Sequence, residues 1–278
     1  MAESKFGVIG GDERQLYLAR CACREGKQVV LAGFSQDAAG ELPAVSVKEA
    51  ARQSDVILLP LPVTRDGKLL SARETIPLND EFAALFAGKK VFGGMTERLR
   101  QSSSRWQEID LQDYYCREEL LIGNAVLTAE GAIGIAATRY EGSIFGTKVL
   151  VTGFGRIGKA LCLGLKGLGA RVDCCARKPA DLISIEALGC EALTYSEVRG
   201  EYDLIFNTVP APVLREKQLA RLSPDAVIYE LASAPGGVDL AAAKRFGLRV
   251  ENLPGLPGQT APKAAGELIW RTVERMLV

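Results

Sequence analysis

The sequence predicts an α/β chain folded as two lobes, each a doubly wound parallel sheet. Three observations predict it. Short apolar, β-branched runs alternate with helix-like runs along the chain, the pattern of a parallel sheet covered on both faces. The pattern occurs twice, on either side of a long apolar stretch, and 278 residues suffice for two domains of ordinary size. Glycine or proline ends most strand-like runs, where open α/β sheets meet their ligands. The boundaries are set at 1–123 and 124–278.

In the first lobe, residues 6–9 read as a strand, Gly10-Gly11-Asp12 as a turn, and 14–25 as a helix ended by Gly26. Residues 28–32 form a second strand ended by Gly33. Residues 55–59 form a third, ended by Pro60 and Pro62, and 90–92 a fourth, ended by Gly93-Gly94. Residues 118–141 read as a helix joining the lobes. Its Gly123, Gly131 and Gly134 each lower helix propensity by up to ~1 kcal/mol relative to Ala, which is read as a sign of close packing against a neighbouring backbone, with a hinge as the alternative. The apolar stretch 120–137 contains Asn124 and Glu130, and is expected to be a buried helix rather than a membrane span.

The second lobe opens with the most informative stretch. A strand-like run, 148–152, precedes Gly153-Phe154-Gly155-Arg156-Ile157-Gly158, a helical run follows, and a second strand occupies 171–176. That is the dinucleotide fingerprint in its required setting, so this lobe is read as an NAD(P)-binding Rossmann domain. The first glycine allows the tight turn, the second lets backbone approach a pyrophosphate, and the third lets helix pack on strand. Strands at 202–207 and 226–231 follow. Their loops, Thr208-Val209-Pro210 after Asn207 and 232–237 including Ser233, face the nicotinamide side. Residues 249–253 form a last strand, 254–262 a stiff turn-rich segment, and 263–277 a helix expected to pack back on the first lobe. The first lobe has no third glycine in its own turn and is expected to bind substrate.

The end of the second strand selects the cofactor. An NAD site would place Asp or Glu there for the ribose 2′-OH. Here Arg177-Lys178 stand instead, and Asp173 comes too early. A guanidinium grips a 2′-phosphate that a carboxylate would repel, so NADP is favoured. The plainer alternative makes Arg177 and Lys178 solvated charges at a strand end.

Composition narrows the chemistry. Thirty-four cationic and 34 anionic residues give a net charge of zero, which suggests no nucleic-acid partner. No signal peptide is visible and the seven cysteines include no C-x-x-C pair, so reduced core thiols in a cytoplasmic protein are expected. There is no histidine. Ser-His and Cys-His nucleophiles, His-ligated zinc and His–carboxylate proton relays are therefore excluded. No metal site is expected.

The chain resembles the A-subunit family of dipicolinate synthase from endospore-forming bacteria. The resemblance rests on Gly10-Gly11-Asp12-Glu13-Arg14-Gln15, on Asn124 with Thr128-Ala129-Glu130-Gly131, and on the glycine fingerprint. Asn207-Thr208-Val209-Pro210-Ala211 and Leu253-Pro254-Gly255 with Ala261-Pro262-Lys263 extend it over nearly the whole chain. It implies NADP-linked dehydrogenation of dihydrodipicolinate to dipicolinate in the mother cell of a sporulating bacterium, with a flavoprotein-like second subunit. An oligomer of like subunits is expected. A dianionic substrate needs cationic or N–H clamps. Arg14, with Asp12 beside it, is nominated for one carboxylate, and Gly94-Met95-Thr96 for the other, with Arg98 and Arg139 as weaker candidates. A local salt bridge of Arg14 with Asp12 or Glu13 is the plain alternative. Glu130 is read as a buried carboxylate that orients Asn124 or acts as base, against the alternative of a solvated charge. Ser233 completes the candidate substrate contacts. Two other readings stay open: an NADP-dependent 2-hydroxy- or 2-amino-acid dehydrogenase on the same plan, and a non-catalytic NADP-binding subunit. The first is weakened because the loop 232–237 carries no Arg or His.

Overall fold

A computed structural model describes residues 4–277, which divide into two compact units. One comprises residues up to 124 with the segment from 261 onward; the other comprises 125–260.

The first unit holds five parallel strands: β1 (Lys5–Ile9), β2 (Gln28–Ala32), β3 (Val56–Leu58), β4 (Lys90–Gly93) and β5 (Asp110–Asp113). Their order is β2-β1-β3-β4-β5. Chain direction across the sheet reverses between β1 and β3, so the switch point lies at their carboxyl ends. One face is covered by the helix Glu13–Arg24 and the last helix, Pro262–Leu277, with Leu18, Phe6 and Trp270 in the core between them. The other face buries Ile9, Ile57, Phe86 and Trp106. Contact between the two helices is close because Gly266 has no side chain. A Cβ there would fall within 3.0 Å of the Arg14 carbonyl oxygen. Trp270 meets Phe6 edge-on at 5.3 Å and donates to Glu25 Oε2 at 2.6 Å.

The second unit holds six parallel strands: β6 (Lys148–Thr152), β7 (Arg171–Cys175), β8 (Glu191–Leu193), β9 (Leu204–Asn207), β10 (Val227–Glu230) and β11 (Arg249–Asn252). Their order is β11-β10-β9-β6-β7-β8, the doubly wound order of dinucleotide-binding domains, with the switch point between β6 and β9. Cys174 and Cys175 point to opposite faces, one in each core layer. All seven cysteines are free thiols, five of them buried; Cys116 is exposed. Burial pushes the Cys175 and Cys190 thiols up to about 12.

The helix Glu118–Arg139 runs through the point where the units divide. By length and composition alone it is long and apolar enough to cross a membrane, so Asn124 and Glu130 do not disqualify it as expected. It buries only one stripe, including Ala125, Ala129, Ala132 and Ala136, and leaves Ile122 and Val126 exposed. Gly123 packs against Leu268 and Gly131 against Thr260, whereas Gly134 faces open space and supplies no close packing.

Candidate functional site

The glycine turn of the second unit is built from the end of β6. Gly153 has φ +97°, a conformation L side chains rarely adopt, and a Cβ there would also meet Thr208 Oγ1 and Val209 Cγ2 at 2.6 Å. Gly155 faces open space. At Gly158 a Cβ would fall on the Gly153 carbonyl oxygen, deep inside contact distance. The three glycines thus meet three different surroundings: a strained turn, an unobstructed backbone and a helix packed on its own loop. The helix Arg156–Gly167 begins there without a side-chain cap, so its N-terminal N–H groups and dipole face the open side of the turn. Phe154 does not reach a ligand through its ring, which is buried in the core; only its backbone belongs to the turn.

Beyond the turn, β9 and β10 end in two interlocked loops. Thr152 Oγ1 donates to Asn207 Oδ1 at 2.6 Å, and Asn207 Nδ2 donates to Glu230 Oε1 at 2.6 Å and to the Val209 carbonyl at 3.1 Å. Glu230 Oε1 also accepts from Ala232 N, and Oε2 accepts from Gly237 N and Val238 N. A buried carboxylate with this many donors is a fastener, and it fixes both loops at the carboxyl edge of the sheet. Asn207 therefore serves the loops rather than a ligand directly. Thr208 donates to the Thr152 carbonyl at 2.9 Å, Val209 is half-buried and Pro210 exposed. Ser233 lies exposed in the following turn, its carbonyl accepting from Gly236 N. Sequence reading missed Glu230. A lone Glu at the end of an apolar strand was its signal.

At the end of β7, Arg177 and Lys178 are exposed, and Lys178 precedes the helix Pro179–Ala187. Asp173 is engaged elsewhere, accepting from Tyr202 Oη at 2.7 Å and standing 3.6 Å from Lys148 Nζ. No carboxylate occupies the strand's last positions.

In the first unit Asp12 caps the helix Glu13–Arg24, accepting from Arg14 N, while Gln15 Oε1 accepts from Asp12 N. The Arg14 guanidinium grips the same carboxylate through Nε at 2.9 Å and Nη2 at 2.8 Å, and donates to the Leu61 carbonyl at 2.5 Å. The local pair is thus present. Burial alone would raise the Asp12 carboxyl, but the Arg14 hydrogen bonds and charge outweigh it and hold it below 3.8. Burial likewise opposes the Arg14 charge, and Asp12 overrides it and raises the guanidinium.

Two expectations fail here. The Gly94-Met95-Thr96 turn has no donors to spare. Gly94 N donates to the Pro60 carbonyl, and the N–H groups of Met95 and Thr96, with the Thr96 hydroxyl, all go to the Asp113 carboxylate. Glu130 is exposed rather than buried, because the helix turns its alanine stripe inward. It also cannot orient Asn124: six residues put the two roughly 120° apart around the helix and ~9 Å along it. The weaker candidates also have partners of their own. Arg98 Nη1 donates to the Arg65 carbonyl, and Arg139 pairs with Glu251. Asn124 is half-buried on the same helix.

Fold and glycine turn define a dehydrogenase that uses a nicotinamide dinucleotide. Residues 126–237 match the D-isomer specific 2-hydroxyacid dehydrogenase NAD-binding domain, and residues 5–115 match the N-terminal domain of the dipicolinate synthase A subunit. The chain is 30% identical to the A subunit of dipicolinate synthase of Bacillus subtilis (strain 168), over 98% of this chain and 95% of that protein. The crystal structure of the dipicolinate synthase A subunit from Bacillus halodurans superposes with TM-score 0.88 at 30% identity, covering 99% of this chain and 98% of that one. A transhydrogenase from Sinorhizobium meliloti shares the fold, with TM-score 0.71 at 15% identity, covering 98% and 92%. The chain belongs to the family of dipicolinate synthase A subunits.

Proposed function

We propose that this protein oxidises dihydrodipicolinate to dipicolinate, pyridine-2,6-dicarboxylate, with NADP as oxidant. The observation that carries this reading is the turn Gly153–Gly158, whose open second glycine and closed third fit a pyrophosphate, in a chain similar to dipicolinate synthase A subunits over its length. Gly153, Gly155 and the first turn of the helix Arg156–Gly167 would hold the pyrophosphate, Arg177 and Lys178 the 2′-phosphate, and the loop after Asn207 the nicotinamide side. Bound NADP supplies acceptance of one hydride from a ring carbon. A proton leaves the neighbouring carbon, and the ring becomes aromatic, so the products are favoured without a strong base. We assign that proton to water, since Glu130 stands in solvent and has no positional advantage over it. Arg14, oriented by Asp12, supplies a fixed cation for the substrate in the first unit.

The Bacillus subtilis relative is named as the A subunit of its enzyme, and we take this chain to work likewise with a second, flavoprotein-like subunit, in the cytoplasm of a sporulating mother cell. Absorbance at 340 nm, with enzymatically generated dihydrodipicolinate and either NADP or NAD, tests the reading. NADPH and dipicolinate formed together, with a weak NAD signal, is the expected result. Arg177→Ala is expected to narrow the NADP preference by about 10- to 100-fold, since hydrogen bonds to charged groups contribute ~1.5–3 kcal/mol. Equal rates with both cofactors would remove Arg177 from its role. NADP binding without turnover, with or without the second subunit, would favour a non-catalytic subunit.

A further inference from the structure

We propose that the pocket at the switch point of the first sheet is a carboxylate subsite, in which Arg65 and Arg73 take one carboxylate of the substrate. The inference deepens the reading above and rests on it for the substrate class.

The position comes from topology. In an open α/β sheet, ligands bind outside the carboxyl ends of strands at the point where strand order reverses. Here that point lies between the turn after β1, Gly10-Gly11, and the segment after β3, Pro60-Leu61-Pro62. A pocket of about 430 Å³ opens there, within the ~300–1,000 Å³ range of small-molecule sites. Its far wall is a loop that returns to the turn. Gly11 N donates to the Ser71 carbonyl at 2.6 Å, and Ser71 N donates to the Val63 carbonyl at 2.8 Å. This loop is ordered by its own bonds: Asp66 Oδ1 accepts from Lys68 N at 2.8 Å and Leu69 N at 2.9 Å, and Leu69 bridges to Pro77.

The charges that line the pocket are Asp12, Arg14, Arg65, Asp66 and Arg73, three cations against two anions. Both aspartates are already spent: Asp12 on Arg14 and the helix cap, Asp66 on its own loop. Arg65 and Arg73 make no side-chain ion pair among the described residues. Two planar forks therefore stand at the pocket with their donors unspent, which is the arrangement that recognises a carboxylate bidentately.

The test is calorimetric titration of the full-length protein with dipicolinate, pyridine-2-carboxylate, malate and inorganic phosphate. The variants are Arg65→Ala, Arg73→Ala, Arg65→Lys and, as a surface control, Arg52→Ala; circular dichroism verifies folding. Dipicolinate affinity is expected to fall at least 10-fold in Arg65→Ala and Arg73→Ala. Arg65→Lys should recover only part, and the control should match wild type. If dipicolinate binds and is formed with NADP while every variant binds it as wild type does, the subsite is wrong and the reaction stands. If only malate binds, with the same arginine dependence, the subsite stands and the assigned reaction falls. Failure of every carboxylate to bind, or equal binding of phosphate, overturns the subsite.

Discussion

Asn207 Nδ2 donates to Glu230 Oε1 at 2.6 Å, and through that bond the ends of β9 and β10 are held as one edge. The same carboxylate accepts from Ala232 N, Gly237 N and Val238 N, so it closes the loop that follows its own strand. Gly237 is part of the lock. A Cβ there would meet Asn207 Nδ2 at 2.6 Å. Glu230→Ala would leave these buried donors without acceptors at about 1–3 kcal/mol for each group that water does not reach. We expect Glu230→Ala to lose ~3 kcal/mol or more by urea denaturation and to raise the KM for cofactor. Glu230→Gln keeps the Asn207 contact but sets an amide NH2 against two backbone N–H groups, so it should recover only a minor part. An unchanged urea midpoint in Glu230→Ala would show that the loops are held by something else.

Gly155 and Gly158 separate binding from folding. Open space surrounds Gly155, so Gly155→Ala should keep the wild-type melting temperature and weaken dinucleotide binding 10-fold or more by crowding the pyrophosphate. At Gly158 the added methyl would strike the Gly153 carbonyl, so Gly158→Ala should lower the melting temperature as well as the affinity. Thermal melts paired with dinucleotide titration distinguish the two. Equal melting-temperature losses would contradict the separation.

Asp12 makes stability pH-dependent in a stated direction. Its carboxyl is held below 3.8 in the folded protein, because Arg14 outweighs burial. A depressed folded value adds stability that is present above the ordinary value and lost as pH falls through the depressed one. Asp12→Asn keeps a capping oxygen but removes the charge. The gap in urea midpoint between wild type and Asp12→Asn should therefore be wider at pH 6 than at pH 3. A gap that stayed constant would mean that folding does not shift the Asp12 carboxyl, so that Arg14 does not hold it down.

What sequence reading found and missed follows from how local each signal is. The strand β6 and the glycines after it were legible because turn, helix start and cofactor approach all depend on neighbouring residues. The strand β5 was not. Asp110-Leu111-Gln112-Asp113 has one apolar residue, since it forms a half-exposed edge. That omission hid Asp113, whose carboxylate absorbs the very donors assigned to substrate in the Gly94-Met95-Thr96 turn. Arg65 and Arg73, proposed above for a substrate carboxylate, were missed because their loop has no periodicity and meets the β1 turn only through contacts distant in sequence, the Gly11–Ser71 bond and the packing of Leu70 and Ala72 beside Gly10. Their one available signal was position, after Pro60 and Pro62 at the end of β3.

Gly266 seats the last helix against Arg14, the residue proposed above as a cation for the substrate. Its missing side chain lets the helix Pro262–Leu277 lie against the Arg14 carbonyl, and a Cβ there would stand within 3.0 Å of that oxygen and of Leu18 N. Both are backbone atoms, so they cannot rotate away as a flexible side chain would. Gly266→Ala must therefore push the first turn of the helix Glu13–Arg24 off its seat, at roughly 1–3 kcal/mol for overpacking. That turn carries Arg14 and its Asp12 partner. Small displacements of a positioned cation cost catalysis disproportionately, since alignment rather than charge is lost. We expect Gly266→Ala to raise the KM for substrate several-fold while the dissociation constant for NADP stays as in wild type. Steady-state kinetics with each ligand varied in turn gives both numbers. A loss confined to NADP binding would place the effect of the last helix in the second unit and disconnect Gly266 from Arg14.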